Sequence, residues 1–113
     1  VINITSVDGI KNPDLETYSY VASKAGLIHL TRRMAKRLVA DHIHVNSIAP
    51  GAFASDINVF ARDNPEAVSN RIPTKRVGQP DDIAGAAVYM CSRAGDYLLG
   101  ITLPVDGGVA LAT

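Results

Sequence analysis

Cysteine is nearly missing from this 113-residue chain: Cys91 stands alone. An intrachain disulfide framework is therefore excluded, and so is a zinc site built from cysteines. Net charge is missing as well, with Lys plus Arg and Asp plus Glu at 11 each. Nothing electrostatic points to nucleic acid or to an anionic membrane surface. No apolar run approaches the length of a bilayer span, and no signal-peptide pattern opens the chain. Repeats, low-complexity tracts and a linker marking a second domain are also lacking. A cytoplasmic protein is the expectation that these absences leave.

What is present is an ordinary globular mixture, 47% hydrophobic and 19% charged, enough for one domain with its own core. Strand and helix patterns alternate along it, which predicts an α/β fold. Val1 to Thr5 reads as a short β-rich run, closed by Ser6 and a loop holding Gly9, Asn12 and Pro13. A long helix is expected from about Thr17 or Ser19 to about Ala40, with Val21, Ala25, Ile28, Ala35 and Val39 as its apolar stripe. Arg32, Arg33, Lys36 and Arg37 gather towards its C-terminal end, where cations oppose the negative end of the dipole. After a turn at Asp41-His42, Ile43 to Ala49 reads as a second strand, ended by Pro50-Gly51.

From Ala52 to Val77 periodicity is weak, with two short helical pieces broken at Asn64-Pro65, the pattern of a lid. Phe53, Ile57, Val59 and Phe60 in that region suit either an apolar pocket wall or core packing. Gly78-Gln79-Pro80-Asp81-Asp82 is a helix start, with proline in the first turn and acids near the positive dipole end. That helix runs to about Ser92. One more turn is expected at Asp96 to Gly100, then a third strand at Ile101 to Val105 and a structural turn at Asp106-Gly107-Gly108. Strands joined through helices pair in parallel, and parallel sheets are covered on both faces. Three strands with two to four helices make a thin example, which predicts the C-terminal part of a larger doubly wound, Rossmann-like sheet.

Tyr20 and Lys24 are four positions apart on the predicted long helix and so share one face. A phenol is ordinarily too weak an acid for chemistry near neutrality. A neighbouring ammonium favours the phenolate and brings the group towards a working range. Such a tyrosine can hand a proton to a carbonyl oxygen or take one from an alcohol. Ser6, at the end of the first strand, can donate a hydrogen bond to the same oxygen, with Thr5 as a weaker rival. Tyr18 falls on another helix face and has no lysine one turn on, so it reads as a packing or pocket residue. His42 and His44 alternate as on one strand face but lack a third ligand, and His29 reads as a helix-surface or interface residue. No metal site is expected.

Five ordered segments carry a resemblance: Asn3-Ile4-Thr5-Ser6, Tyr20-Val21-Ala22-Ser23-Lys24-Ala25-Gly26, Val45-Asn46-Ser47-Ile48-Ala49-Pro50-Gly51, Arg76-Val77-Gly78-Gln79-Pro80-Asp81-Asp82-Ile83-Ala84 and Val105-Asp106-Gly107-Gly108. Together they resemble, over essentially the whole chain, the C-terminal catalytic half of the short-chain dehydrogenase/reductase family. Thr17 to Lys24 and Ile43 to Gly51 lean towards 3-oxoacyl-[acyl-carrier-protein] reductases of the rhamnolipid type. The resemblance implies an NAD- or NADP-dependent enzyme that moves hydride between a nicotinamide and a carbonyl or secondary alcohol. Ser6 then orients the substrate, Tyr20 is the acid/base, and Lys24 tunes the tyrosine and holds ribose. Pro50, Gly51, Phe53 and Ser55 would meet the nicotinamide. Ser55 stands where the family more commonly has threonine, and it keeps the hydroxyl. A homodimer or homotetramer is implied, with a small carbonyl or alcohol as the other partner.

No glycine-rich turn that could cradle a pyrophosphate at a helix N-terminus occurs among the nine glycines. Residues 1–113 are thus expected to form the C-terminal portion of one domain whose cofactor-binding half lies upstream. Val1 already stands in a strand pattern with no initiator methionine, which agrees. The isolated chain is expected to be inactive. The rival expectation is a truncated or scaffold relative that keeps the fold without catalysis.

Overall fold

A computed structural model describes all 113 residues. Three parallel strands form one sheet in the order β1-β2-β3: β1 is Ile2–Ile4, β2 Asn46–Pro50 and β3 Thr102–Val105. Ile4 lies beside Ile48, and Pro50 beside Val105. The middle strand is the driest element. Asn46, Ser47, Ile48 and Ala49 are all buried, with Val45 just before them. The α/β class and parallel pairing expected from the alternating pattern are what the chain adopts.

Helix α1 (Tyr18–Leu38) packs against β2 and against a short 3-10 turn at Val7–Gly9 that follows β1. Its buried residues are Ile28, Thr31 and Ala35. Ile28 and Ala35 belong to the expected stripe, whereas Val39 lies beyond the helix and is exposed. Thr31 falls between them on the same face. It is accommodated because its Oγ1 donates to Leu27 O at 2.8 Å and accepts from Asn3 Nδ2 at 3.0 Å, so the buried hydroxyl is paired both as donor and as acceptor. Lys36 and Arg37 close the last turn, Arg37 pairs with Asp41 at 3.1 Å, and His42 reverses the chain with φ of 59°.

The second strand is shorter than expected at its start. Ile43 and His44 are exposed, His44 O accepts from the Val1 amino group at 2.7 Å, and regular pairing begins at Asn46. The predicted sharing of a strand face by His42 and His44 therefore fails, because the left-handed residue at 42 is still part of the turn. Helices α2 (Val59–Asp63) and α3 (Pro65–Ser69) meet at Asn64, and α4 (Pro80–Cys91) follows. The Asp82 carboxylate accepts from the Gln79 N–H at 2.8 Å, tying down the first turn of α4. The extra turn expected at Asp96 to Gly100 instead lies earlier, at Arg93–Gly95, where the Ser92 hydroxyl accepts from the Ala94 N–H.

One buried side chain sets how the last strand arrives. Asn46 donates from Nδ2 to Leu98 O and accepts at Oδ1 from the Ile101 N–H, both at 3.1 Å. The connection into β3 is thereby clamped to the start of β2. Only 16 of the 113 residues are buried, so much apolar surface stays open, including Leu30 on α1 and Val88 and Tyr89 on α4. No helix is long and apolar enough to cross a membrane.

Candidate active site at the C-terminal ends of the strands

Parallel sheets bind ligands beyond the carboxyl ends of their strands, and three separately coded residues meet near the end of β1. Lys24, half-buried in the second turn of α1, donates from Nζ to Ile4 O, the last carbonyl of β1, at 3.1 Å. The same ammonium lies 5.7 Å from the centre of the Tyr20 ring, within cation–π range. Tyr20 and Lys24 thus share a side of the helix, as their spacing requires. Tyr20 is 43% exposed, so it is open to a ligand and is not a packed core residue. Tyr18 is more exposed still and has no comparable partner.

Thr5 and Ser6 are both buried but differently engaged. The Thr5 hydroxyl donates to Ile48 O at 2.9 Å, cross-linking β1 to β2. The Ser6 hydroxyl only accepts, from the Asp8 N–H at 3.1 Å, as the cap of the Val7–Gly9 turn. Its own hydrogen has no acceptor in the fold. An oxygen that accepts from an amide while keeping its hydrogen free is a good donor towards a ligand oxygen. Hydrogen bonding therefore leaves Ser6, and not Thr5, with a hydrogen free for a ligand. Gly9 holds this turn to the helix: a Cβ there would lie 2.8 Å from the carbonyl carbon of Lys24 and 2.9 Å from Ala25 N. Asp8 beside it is pushed above the usual carboxylate range by burial.

Pro50 and Gly51 end β2 as expected, and the fold gives the glycine a steric reason of its own. A Cβ at Gly51 would lie 2.7 Å from both Cα and Cβ of Asp106. The missing side chain admits the turn after β3, while the Gly51 N–H donates to Val105 O at 3.0 Å. Asp106 is a turn-holder, accepting from Gly108 N at 2.8 Å and Ala110 N at 2.7 Å. Phe53 pairs with Gly78 in an isolated parallel bridge and lays its ring over that glycine. Ser55 is exposed and accepts from the Asn58 N–H at 3.0 Å.

Between these pieces lies a pocket of about 140 Å³, bordered by Ala52, Phe53, Ile72, Thr74, Val105 and Gly107. Arg76 beside it pairs with Asp82 at 2.7 Å, and the guanidinium holds the carboxyl down at about 2. Of the four apolar lid residues weighed from the sequence, only Phe53 is inserted. Ile57 and Phe60 face outward and Val59 is partly exposed, so here they neither wall a pocket nor join the core. The residues that do anchor the lid, Ala61, Ile72 and Val77, were not singled out from the sequence, where weak periodicity concealed them.

A family model described as Enoyl-(Acyl carrier protein) reductase matches residues 1–110, and the chain belongs to the short-chain dehydrogenase/reductase family. It is 43% identical over 114 residues to the rhamnolipids biosynthesis 3-oxoacyl-[acyl-carrier-protein] reductase of Pseudomonas aeruginosa, covering 98% of this chain and 44% of that protein. It is 39% identical over 110 residues to 7alpha-hydroxysteroid dehydrogenase of Escherichia coli, covering 96% and 43%. The solved Pseudomonas aeruginosa RhlG/NADP active-site complex superimposes with a TM-score of 0.91 at 44% identity, covering 98% of this chain and 46% of that one. The chain spans less than half the length of these relatives.

Proposed function

We propose that this chain is the catalytic, nicotinamide-side portion of an NAD- or NADP-dependent oxidoreductase acting on a carbonyl or secondary alcohol. The reading rests on one observation: Lys24 reaches both the Tyr20 ring and the last carbonyl of β1, two residues before a buried serine whose hydrogen is uncommitted. Support comes from the family itself and from a neighbour solved with NADP.

The residues present suit such a coenzyme. Lys24 uses one donor on Ile4 O and has others to offer a ribose hydroxyl. Ser55 would offer a hydroxyl to a carboxamide, and Pro50, Gly51 and Phe53 would meet the ring. The coenzyme would supply the hydride carrier, and the protein does the rest. In the reducing direction Ser6 donates a hydrogen bond to the substrate oxygen, holding the carbonyl in place as negative charge grows there. Tyr20 gives its phenolic proton to that oxygen while the carbonyl carbon receives the hydride, so the products are an alcohol and a tyrosinate. The Lys24 ammonium stabilises that tyrosinate until a proton from solvent restores it. Oxidation runs the same steps backwards.

The relatives favour a 3-oxoacyl thioester as substrate, in a protein whose upstream half completes a single Rossmann-like domain. The open apolar faces of α1 and α4 suit that half and a second copy of the chain, giving a homodimer or homotetramer in the cytoplasm. Residues 1–113 alone are expected to show no turnover. The test is Tyr20→Phe in the full-length protein, assayed by NAD(P)H absorbance and by coenzyme titration. A loss of kcat of about 10²–10⁴-fold with coenzyme binding retained is expected. Undiminished turnover would refute the assignment.

A further inference from the structure

Residues 106–113, after β3, touch the segments that border the C-terminal end of the sheet. Asp106 lies against Gly51, and Gly107 and Gly108 lie against Ile72, Pro73 and Thr74 at the end of the lid. Gly107 O also accepts from the Thr74 N–H at 3.2 Å. The remaining border is the loop between Ser6 and Tyr20, and Lys11 is the side chain that joins it to this segment. Its Nζ donates to Thr113 Oγ1 at 2.8 Å and to Val109 O at 3.3 Å, across about a hundred positions of sequence. No carboxylate pairs with it.

The base of this side chain is well held. The Lys11 N–H donates to Val7 O at 2.8 Å, closing the turn that Gly9 presses onto the backbone of Lys24 and Ala25. Lys11 is therefore tied on one side to the helix that carries Tyr20 and Lys24, and on the other to the segment that anchors the lid. From this we infer that Lys11 is a positioning residue: it latches residues 109–113 against the loop before Tyr20 and so shapes the mouth through which the substrate reaches Ser6 and Tyr20. The inference rests on the oxidoreductase reading above. A latch of this kind affects how well a long substrate is held and leaves proton and hydride transfer alone.

The test compares wild type, Lys11→Met and Lys11→Arg in the full-length protein. The probes are two uncharged substrates, the acetoacetyl and 3-oxodecanoyl thioesters of N-acetylcysteamine. Being neutral, they exclude a direct ion pair with the ammonium. Lys11→Met is expected to raise KM for the long thioester by about 3- to 10-fold, the scale of losing an exposed charged hydrogen bond. Its kcat, its coenzyme affinity and its KM for the short thioester should stay within about twofold, and Lys11→Arg should restore the long-chain KM. Hydrogen exchange at Ala110 and Ala112 should quicken in Lys11→Met while Tyr20 to Lys24 is unchanged. An unaltered long-chain KM, a parallel fall in kcat, or unchanged exchange at Ala110 and Ala112 overturns the latch. A wild-type protein that turns over neither probe overturns the 3-oxoacyl substrate instead, and the exchange measurement then decides the latch by itself.

Discussion

Replacing Gly51 with alanine separates two reasons for a glycine at the end of β2, close approach of a flat ligand and close approach of another strand's turn. The added Cβ would meet Asp106 Cα and Cβ at 2.7 Å and Asp106 O at 3.3 Å. Carbon atoms prefer separations of about 3.5–4.0 Å, so roughly 1 Å must be relieved against backbone that cannot rotate away. Asp106 also holds Gly108 and Ala110 through its carboxylate, so the displacement passes into the turn. Overpacking of this kind costs about 1–3 kcal/mol, or about 2–12 °C in Tm for a domain of about 150–250 residues. Thermal unfolding of full-length Gly51→Ala, with and without saturating coenzyme, measures it. The expected outcome is a loss of stability already present without coenzyme. An unchanged Tm together with weakened coenzyme binding would show that the ligand, not Asp106, requires the glycine.

Gly85→Ala in α4 is expected to go the other way. Nothing lies within 4 Å of its added Cβ, and a helical alanine gains about 0.5–1 kcal/mol over glycine; a lower Tm would show that another protein surface covers this helix. Ser6→Ala should lower kcat by about 10²–10³-fold, whereas Thr5→Val should cost about 1 kcal/mol of stability and leave kcat alone. The reverse pattern would exchange their roles. Asn46→Ala removes both bonds that hold residues 98–101 and should destabilise by about 2–4 kcal/mol, read from urea unfolding; a change below about 0.5 kcal/mol refutes the clamp. The Arg76–Asp82 pair depresses the Asp82 carboxyl to about 2. Its stabilisation is therefore whole above about pH 4 and is lost as pH falls towards 2. Asp82→Asn should flatten that part of the acid-stability curve, and an unaltered curve would contradict the pairing.

Much of this protein is written in local pattern. Alternating strand and helix signals announced a parallel α/β sheet. Pro80 with Asp81 and Asp82 announced the start of α4, and four-residue spacing placed Tyr20 and Lys24 on one side of α1. These features depend on residues close in sequence, where backbone geometry alone sets what can meet. The rest depended on partners far along the chain. Thr31 is buried because Asn3 reaches it, and Gly51 is needed because Asp106 arrives there. Ser6 rather than Thr5 keeps a free hydrogen because Ile48 engages the threonine. Lys11 becomes a latch only once the chain after β3 folds back beside the first loop. Hydrogen-bond capacity and atomic clearance are properties of pairs, and a single sequence names one member of each pair without its mate.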